Sequence, residues 1–172
     1  MKLRKLEEKD AKYMLEWMHD EDVVKNMQAN FQAKTLDDCL NFIKNSRSLK
    51  NVHVAIVNEK DEYMGTVSLK NIEQDRHIAE FAITIRKCAM GQGYSAFAMK
   101  EIIEKGFERF GINDIYWYVD KKNIRAIKFY EKMGYAHWSL EKLKRIGLDE
   151  QKIDTKSMIW YGVSKENCKK GD

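Results

Sequence analysis

Two hydrophobic periods run through the chain, and together they predict most of its elements. From Asp10 to His19 the apolar residues Tyr13, Met14, Trp17 and Met18 recur at helical spacing. A second helix is expected after Thr35, where Leu36, Cys39, Leu40 and Ile43 form one stripe and Thr35 with Asp38 resembles a capping arrangement. LRKL (3–6), HVAIV (53–57) and YMGTVSL (63–69) read as strands, the last two joined by the turn-like NEKDE. IAEFAITI (78–85) is a longer strand in which Phe81, Ile83 and Ile85 alternate with Glu80, Ala82 and Thr84. Beyond it, Met99, Ile102, Ile103, Gly106, Phe107 and Phe110 mark the strongest helix, with Gly111 as its stop. IYWYV (115–119) is an apolar strand, followed by a helix over NIRAIKFYEKM that Gly134 ends. Two last strands are expected around Ala136–Leu143 and Ser157–Val163, flanking a turn at Gly147–Asp149. Strands in antiparallel succession, then strand–helix–strand–helix, predict an α/β (α+β) fold on a mixed sheet.

The chain has 172 residues, and no repeat or linker interrupts it, so one domain is expected over 1–165, with a polar tail at 166–172. No apolar run approaches the ~18 residues that span a bilayer, and MKLRKLEEKD has no apolar signal region. Three scattered cysteines fit a reduced cytoplasm without disulfides, and the four histidines are equally scattered, so no metal is expected. The net charge of +4 comes from interleaved acids and bases, which reads as a solvated surface rather than a nucleic-acid face.

Between strand 78–85 and the long helix lies AMGQGYSAFAM, with Gly91 and Gly93 one residue apart in a chain without proline. A glycine loop at a helix N-terminus turns several N–H groups and the helix dipole towards one point, which suits a phosphate. Alone the pair is weak evidence, because ordinary turns use such glycines constantly. It is not a Walker A loop, because no Gly-Lys-Ser/Thr follows, and it lacks the third glycine of a dinucleotide site.

One strand later, Asn123, Ala126, Tyr130 and Gly134 occur in NIRAIKFYEKMGY. The two segments together resemble the GNAT superfamily of N-acetyltransferases. Its pyrophosphate loop reads Arg/Gln-x-x-Gly-x-Gly/Ala, and its later helix carries Asn-x-x-Ala-x-x-x-Tyr-x-x-x-Gly-Phe/Tyr. The resemblance covers 78–135 closely, and LRKLEEKD looks like the family's first strand and helix entry. It implies a single-domain fold with six or seven mostly antiparallel strands, about four flanking helices, and acetyl-CoA as donor. It further implies that Met90, Gly91, Gln92, Gly93, Tyr94 and Ser95 form the pyrophosphate loop. Ile83, Thr84 and Ile85 would border the pantetheine arm, with Ile83 and Ile85 pairing to it by backbone. Asn123 would hydrogen-bond the cofactor, Ala126 would leave it room, and Tyr130 would lie near the sulfur. Family members are often dimers, so a homodimer is open.

This chain departs from the pattern at Met90 and Ser95 and lacks the proline often found before the loop. Losing one polar contact weakens binding by ~1–2 kcal/mol, roughly tenfold. Arg86 or Lys87 is expected to restore charge, and Ser95 to cap the helix.

Acetyl transfer to an amine of pKa ~10.4 requires its neutral form, which costs roughly 4–5 kcal/mol at pH 7. Glu80 is the candidate base, acting through water, and Tyr130 the candidate general acid. Their structural alternatives are an exposed carboxylate paired with Arg76 or a lysine, and a core tyrosine on the Ala126–Ile127–Tyr130–Met133 stripe. Cys88 reads as a buried cysteine rather than an acyl carrier, and Tyr116, Trp117 and Tyr118 as strand packing. The acceptor site is expected over Leu15 to Phe42, where Glu16, Asp20, Glu21, Asp22, Asp37 and Asp38 would draw a cationic amine. The expected acceptor is a small-molecule primary amine, an amino sugar or polyamine. A protein N-terminus and a non-catalytic acetyl-CoA-binding module remain as alternatives.

Overall fold

In the computed structural model, which describes residues 1–27 and 29–168, seven strands form one sheet in the order β1-β2-β3-β4-β5-β7-β6. They are β1 (Lys2–Lys5), β2 (Val52–Val57), β3 (Tyr63–Glu73), β4 (Ile78–Ile85), β5 (Asp114–Asp120), β6 (Ala136–His137) and β7 (Met158–Ser164). Every neighbouring pair is antiparallel except β4 and β5. The helices are α1 (Ala11–Met18), α2 (Glu21–Val24), α3 (Leu36–Lys44), α4 (Tyr94–Arg109), α5 (Ile124–Lys132), α6 (Leu140–Arg145) and α7 (Lys165–Cys168). The tail expected at 166–172 begins inside α7, and 169–172 lie outside the described residues.

Successive side chains of a strand face opposite sides, so the sheet has two cores. On one face, Leu69, Phe81 and Ile115 pack under Met99, Ile102 and Phe107 of α4 and Tyr130 of α5. Each such burial contributes about 1.5–3 kcal/mol, which together outweigh the ~1 kcal/mol that Gly106 costs inside α4. Gly106 also lets the helix approach, since a Cβ there would lie 2.9 Å from Ile115 Cδ1. On the other face, α1, α2 and α3 cover Ala55, Val57 and Tyr63 with Met14, Trp17, Met18 and Ile43. The Thr35–Asp38 capping box that starts α3 forms as its sequence predicts.

One predicted strand is mostly a helix. Over 136–143 only Ala136 and His137 pair with β7, and α6 begins at Leu140. Ser139 accepts from Lys142 N–H as its N-cap, and the straight-chain residues of LEKLKR favour a helix that buries Leu143. β3 runs four residues past the expected Leu69, to Glu73, through a register shift between Lys70 and Glu73.

Candidate active site

The one parallel pairing is short. β4 and β5 are joined only at Ile78–Asp114, Ala79–Ile115 and Glu80–Tyr116, and then diverge. Beyond that point β4 stays with β3 as far as Ile85, and β5 with β7 as far as Asp120. A wedge-shaped gap therefore opens in the middle of the sheet. Arg86 N–H donates to the Met64 carbonyl of β3 at 2.9 Å. Backbone groups along a strand alternate sides, so those of Ile83 and Ile85 face the gap, while those of Thr84 face β3. The Thr84 carbonyl does lie against Gly65 of β3.

The wide end of the gap leads to the glycine loop. Gly91 and Gly93 have φ of +77° and +85°, a region that side chains with a Cβ disfavour, and Gly93 is the N-cap of α4. No side chain caps α4, so the Tyr94, Ser95 and Ala96 N–H groups at its first turn are left for an outside acceptor. Ser95 sits inside that turn and is not the cap expected for it. Gln92 Nε2 donates to the Cys88 carbonyl at 2.6 Å, and Cys88 itself is exposed rather than buried.

Neither expected cation serves the loop. The buried Arg86 donates to both Glu16 carboxylate oxygens, at 3.0 and 2.8 Å, and to the Tyr63 carbonyl. Lys87 bonds Asp22 at 2.7 Å. These pairs occupy Glu16 and Asp22, Asp20 lies 3.9 Å from the same Lys87, and Asp38 is held by Thr35, so four of the acids expected to draw an amine have partners of their own. The cation at the loop is Arg125 of α5, whose Nη1 lies 2.7 Å from Met90 Sδ.

At the narrow end, Phe81 and Trp117 are the first residues past the last β4–β5 pair, and their rings meet edge-on at 5.4 Å. Tyr130 packs on Trp117 at 5.4 Å and on Tyr161 at 5.2 Å. Burial first, then the Tyr161 and Tyr135 hydroxyls, push the Tyr130 phenol above its ordinary range, so it stays protonated at neutral pH. Its hydroxyl has no hydrogen-bond partner among the described residues. The two buried polar side-chain atoms without partners there, Trp117 Nε1 and Tyr161 Oη, belong to the same cluster. Asn123 Oδ1 caps α5 by accepting from Ala126 N–H at 3.2 Å, which leaves its amide nitrogen free to donate. Ala126 is half-buried against the core.

Glu80 and Tyr116 lie on the opposite face. Glu80 is buried, not exposed as its structural alternative assumed, and it pairs with Lys70 at 2.7 Å while accepting from Asn71 Nδ2 at 2.8 Å. It lines a cavity of about 810 Å³ with Tyr116, Tyr118, Glu73, Asp154 and Trp160. Tyr116 and Tyr118 thus border a site as well as packing in a strand. Burial and then the Glu80 carboxylate raise both phenols.

A second cavity, of about 290 Å³, lies beside Ala82, Ile83 and Thr84 and is covered by Trp17, Phe31 and Phe42 of the 15–42 segment. His53 also lines it, with Nδ1 2.7 Å from Ser68 Oγ and its ring 4.6 Å from that of Phe42. Burial, then the nearby Lys70 ammonium, lower its pKa from 6.5 to about 4. An unfolded histidine therefore takes its proton before the folded one does, and His53 costs stability as pH falls from about 6.5 towards 4. In thermal melts, His53→Gln is expected to show a shallower loss of Tm than the parent across that window. Parallel curves would remove His53 as a source of acid sensitivity.

The model of the Acetyltransferase (GNAT) domain matches residues 1–136, which include the gap, the loop and Tyr130. The chain belongs to the GNAT acetyltransferases. It is an acetyl-CoA-dependent N-acetyltransferase. The chain is 29% identical over 138 residues to a spermidine N(1)-acetyltransferase of Escherichia coli (strain K12), covering 79% of this chain and 73% of that protein. An uncharacterised N-acetyltransferase of Bacillus licheniformis is 26% identical, with 77% of each chain covered. In fold, the chain is similar to a spermidine N-acetyltransferase from Vibrio cholerae in complex with CoA and spermine. The TM-score is 0.77 at 17% identity, over 96% of this chain and 95% of that one.

The GNAT donor fits what the gap offers. A flexible arm of pantetheine type would find the unpaired β4 edge at Ile83 and Ile85, and a pyrophosphate would find the first-turn amides of α4, which follow the left-handed Gly91 and Gly93. His53 and Arg125 were missed by sequence reasoning. His53 was read only for metal-ligand spacing, and Arg125 sits 35 positions from the residue it meets. Among the described residues no group of His, Cys, Asp and Glu side chains is arranged to hold a metal ion, and no helix is long and apolar enough to cross a membrane.

Proposed function

We propose that this GNAT enzyme acetylates a primary amine of a small cationic molecule, with polyamines of the spermidine type as the first candidates. The observation that carries this reading is the arrangement at the narrow end of the gap. Glu80 and Tyr130 stand on opposite faces of the sheet beside the last β4–β5 pair, and a large cavity ends on Glu80. Its volume of about 810 Å³ lies in the range of small-molecule sites, roughly 300–1,000 Å³. Carboxylates and aromatic faces on its wall suit an ammonium group, although Lys50, Arg76 and Lys152 line it too. The smaller apolar cavity is less suited to a charged acceptor. The relatives named as spermidine acetyltransferases favour the same class.

Lys70 and Asn71 hold the Glu80 carboxylate in place, and from there it draws the acceptor and takes its proton through water. The donor supplies an activated acetyl group. Tyr130, kept protonated by burial, donates a hydrogen bond as negative charge collects on the departing sulfur.

The test is release of CoA thiol with spermidine, spermine, amino-sugar nucleotides, aminoglycosides and peptides, together with Glu80→Gln. Turnover of a polyamine is expected, with kcat reduced about 10²-fold in the variant at pH 7. That deficit should shrink towards pH ~10, where the amine loses its proton unaided. Turnover of peptides alone would sink the small-molecule reading. An unchanged kcat in Glu80→Gln would remove the base.

A further inference from the structure

Arg125 is placed against helix electrostatics. It is the second residue of α5, where the dipole disfavours a cation, and neither α4 nor α5 has an acidic residue in its first turn. No carboxylate pairs with Arg125 among the described residues. Its side chain instead reaches from the first turn of α5 to the glycine loop, where Nη1 meets Met90 Sδ at 2.7 Å. A thioether is a weak acceptor, so this contact leaves the guanidinium's other donors unspent. Met90 is the first residue of the loop, in the place where the resembling pattern has Arg or Gln. Arg86 and Lys87, the nearest cations in sequence, are committed to Glu16 and Asp22.

From these observations we infer that Arg125 is the cation that binds the donor's pyrophosphate, supplying from α5 the side-chain contact that the loop lacks at Met90. The uncapped N-terminus of α4 and the guanidinium would then converge on the same two phosphates, from opposite sides of the gap. A planar guanidinium suits that geometry because two of its N–H groups can reach one phosphate. The inference rests on acetyl-CoA as donor and is independent of which amine accepts the acetyl group.

Calorimetric titration of the unloaded enzyme with CoA tests it. The same titration is run with dephospho-CoA, which lacks the 3′-phosphate, and acetyl-pantetheine, which has no phosphate, serves as donor in parallel assays. Arg125→Gln is expected to weaken CoA and dephospho-CoA equally, by about 10-fold or more, and to recover part of that loss as Arg125→Lys. The KM for acetyl-pantetheine should not change. The penalty should also shrink at high ionic strength, because the site opens to solvent. Equal CoA affinity in parent and variant would overturn the inference, and so would a penalty that vanishes with dephospho-CoA. If the parent itself fails to bind CoA, the donor reading fails instead. Arg125 is exposed, so a thermal melt matching the parent's should accompany every variant.

Discussion

Replacing Tyr130 with phenylalanine is expected to lower kcat by about 10²-fold while leaving the affinity for CoA unchanged. The substitution removes one oxygen from a ring packed between Trp117, Phe129 and Tyr161. That oxygen has no protein partner among the described residues, so stability should hold or rise slightly and unfolding cannot account for lost activity. The pH dependence separates this role from that of Glu80. Burial holds the phenol protonated well above neutrality, so the deficit of Tyr130→Phe should stay constant between about pH 6 and pH 9. The deficit of Glu80→Gln should fall as the acceptor loses its proton. Steady-state kinetics of both variants over that range, with calorimetry for CoA, would check this. An undiminished kcat in Tyr130→Phe would leave Tyr130 as a core tyrosine.

The two candidate groups were legible because each is tied to a local pattern. Alternation along IAEFAITI puts Glu80 on the face opposite Phe81, and the spacing from Asn123 to Gly134 sets Tyr130 on the inner side of α5. The loop was legible for a related reason: left-handed glycines at a strand-to-helix junction leave their mark in the sequence. Contacts between distant segments leave none. That Arg86 is committed to Glu16, 70 residues away, follows from the docking of α1 over the end of β4. The burial of Glu80 against Lys70 follows from the β3–β4 register, in which those two residues are direct partners. The helix at 140–145 was misread because Ala136, Trp138 and Leu140 alternate as in a strand, whereas Ser139 and the burial of Leu143 decide the backbone. The width of the gap was not legible at all. It depends on where β4 and β5 part, and their sequences remain apolar on both sides of that point.

The second large effect is expected far from the gap, at Asp10. Its carboxylate is 1% exposed and receives two bonds from the Arg4 guanidinium, at 2.7 and 2.8 Å, and a third from Glu7 N–H at 2.9 Å. Asp10→Ala would leave a largely buried guanidinium short of its main counter-charge, a change that costs 3–5 kcal/mol in comparable sites. Arg4 keeps Asp61 at 3.0 Å, which is partly exposed, so the lower end of that range, about 3 kcal/mol, is expected. For a chain of this length that corresponds to roughly 6–12 °C in Tm, a large part of a total stability of about 5–15 kcal/mol. Urea unfolding of Asp10→Ala and Asp10→Asn would measure it, with Asn losing less because its oxygen still accepts from the Glu7 amide. A loss under about 1 kcal/mol in Asp10→Ala would mean that Asp61 suffices for Arg4. The consequence for activity follows from what α1 carries. Asp10 fixes the turn that starts α1, and α1 supplies Glu16 to Arg86 at the end of β4 and Trp17 to the wall of the smaller cavity. Loosening that start should therefore weaken CoA binding even at temperatures where Asp10→Ala remains folded, because Arg86 is the residue that leads from Ile85 into the loop.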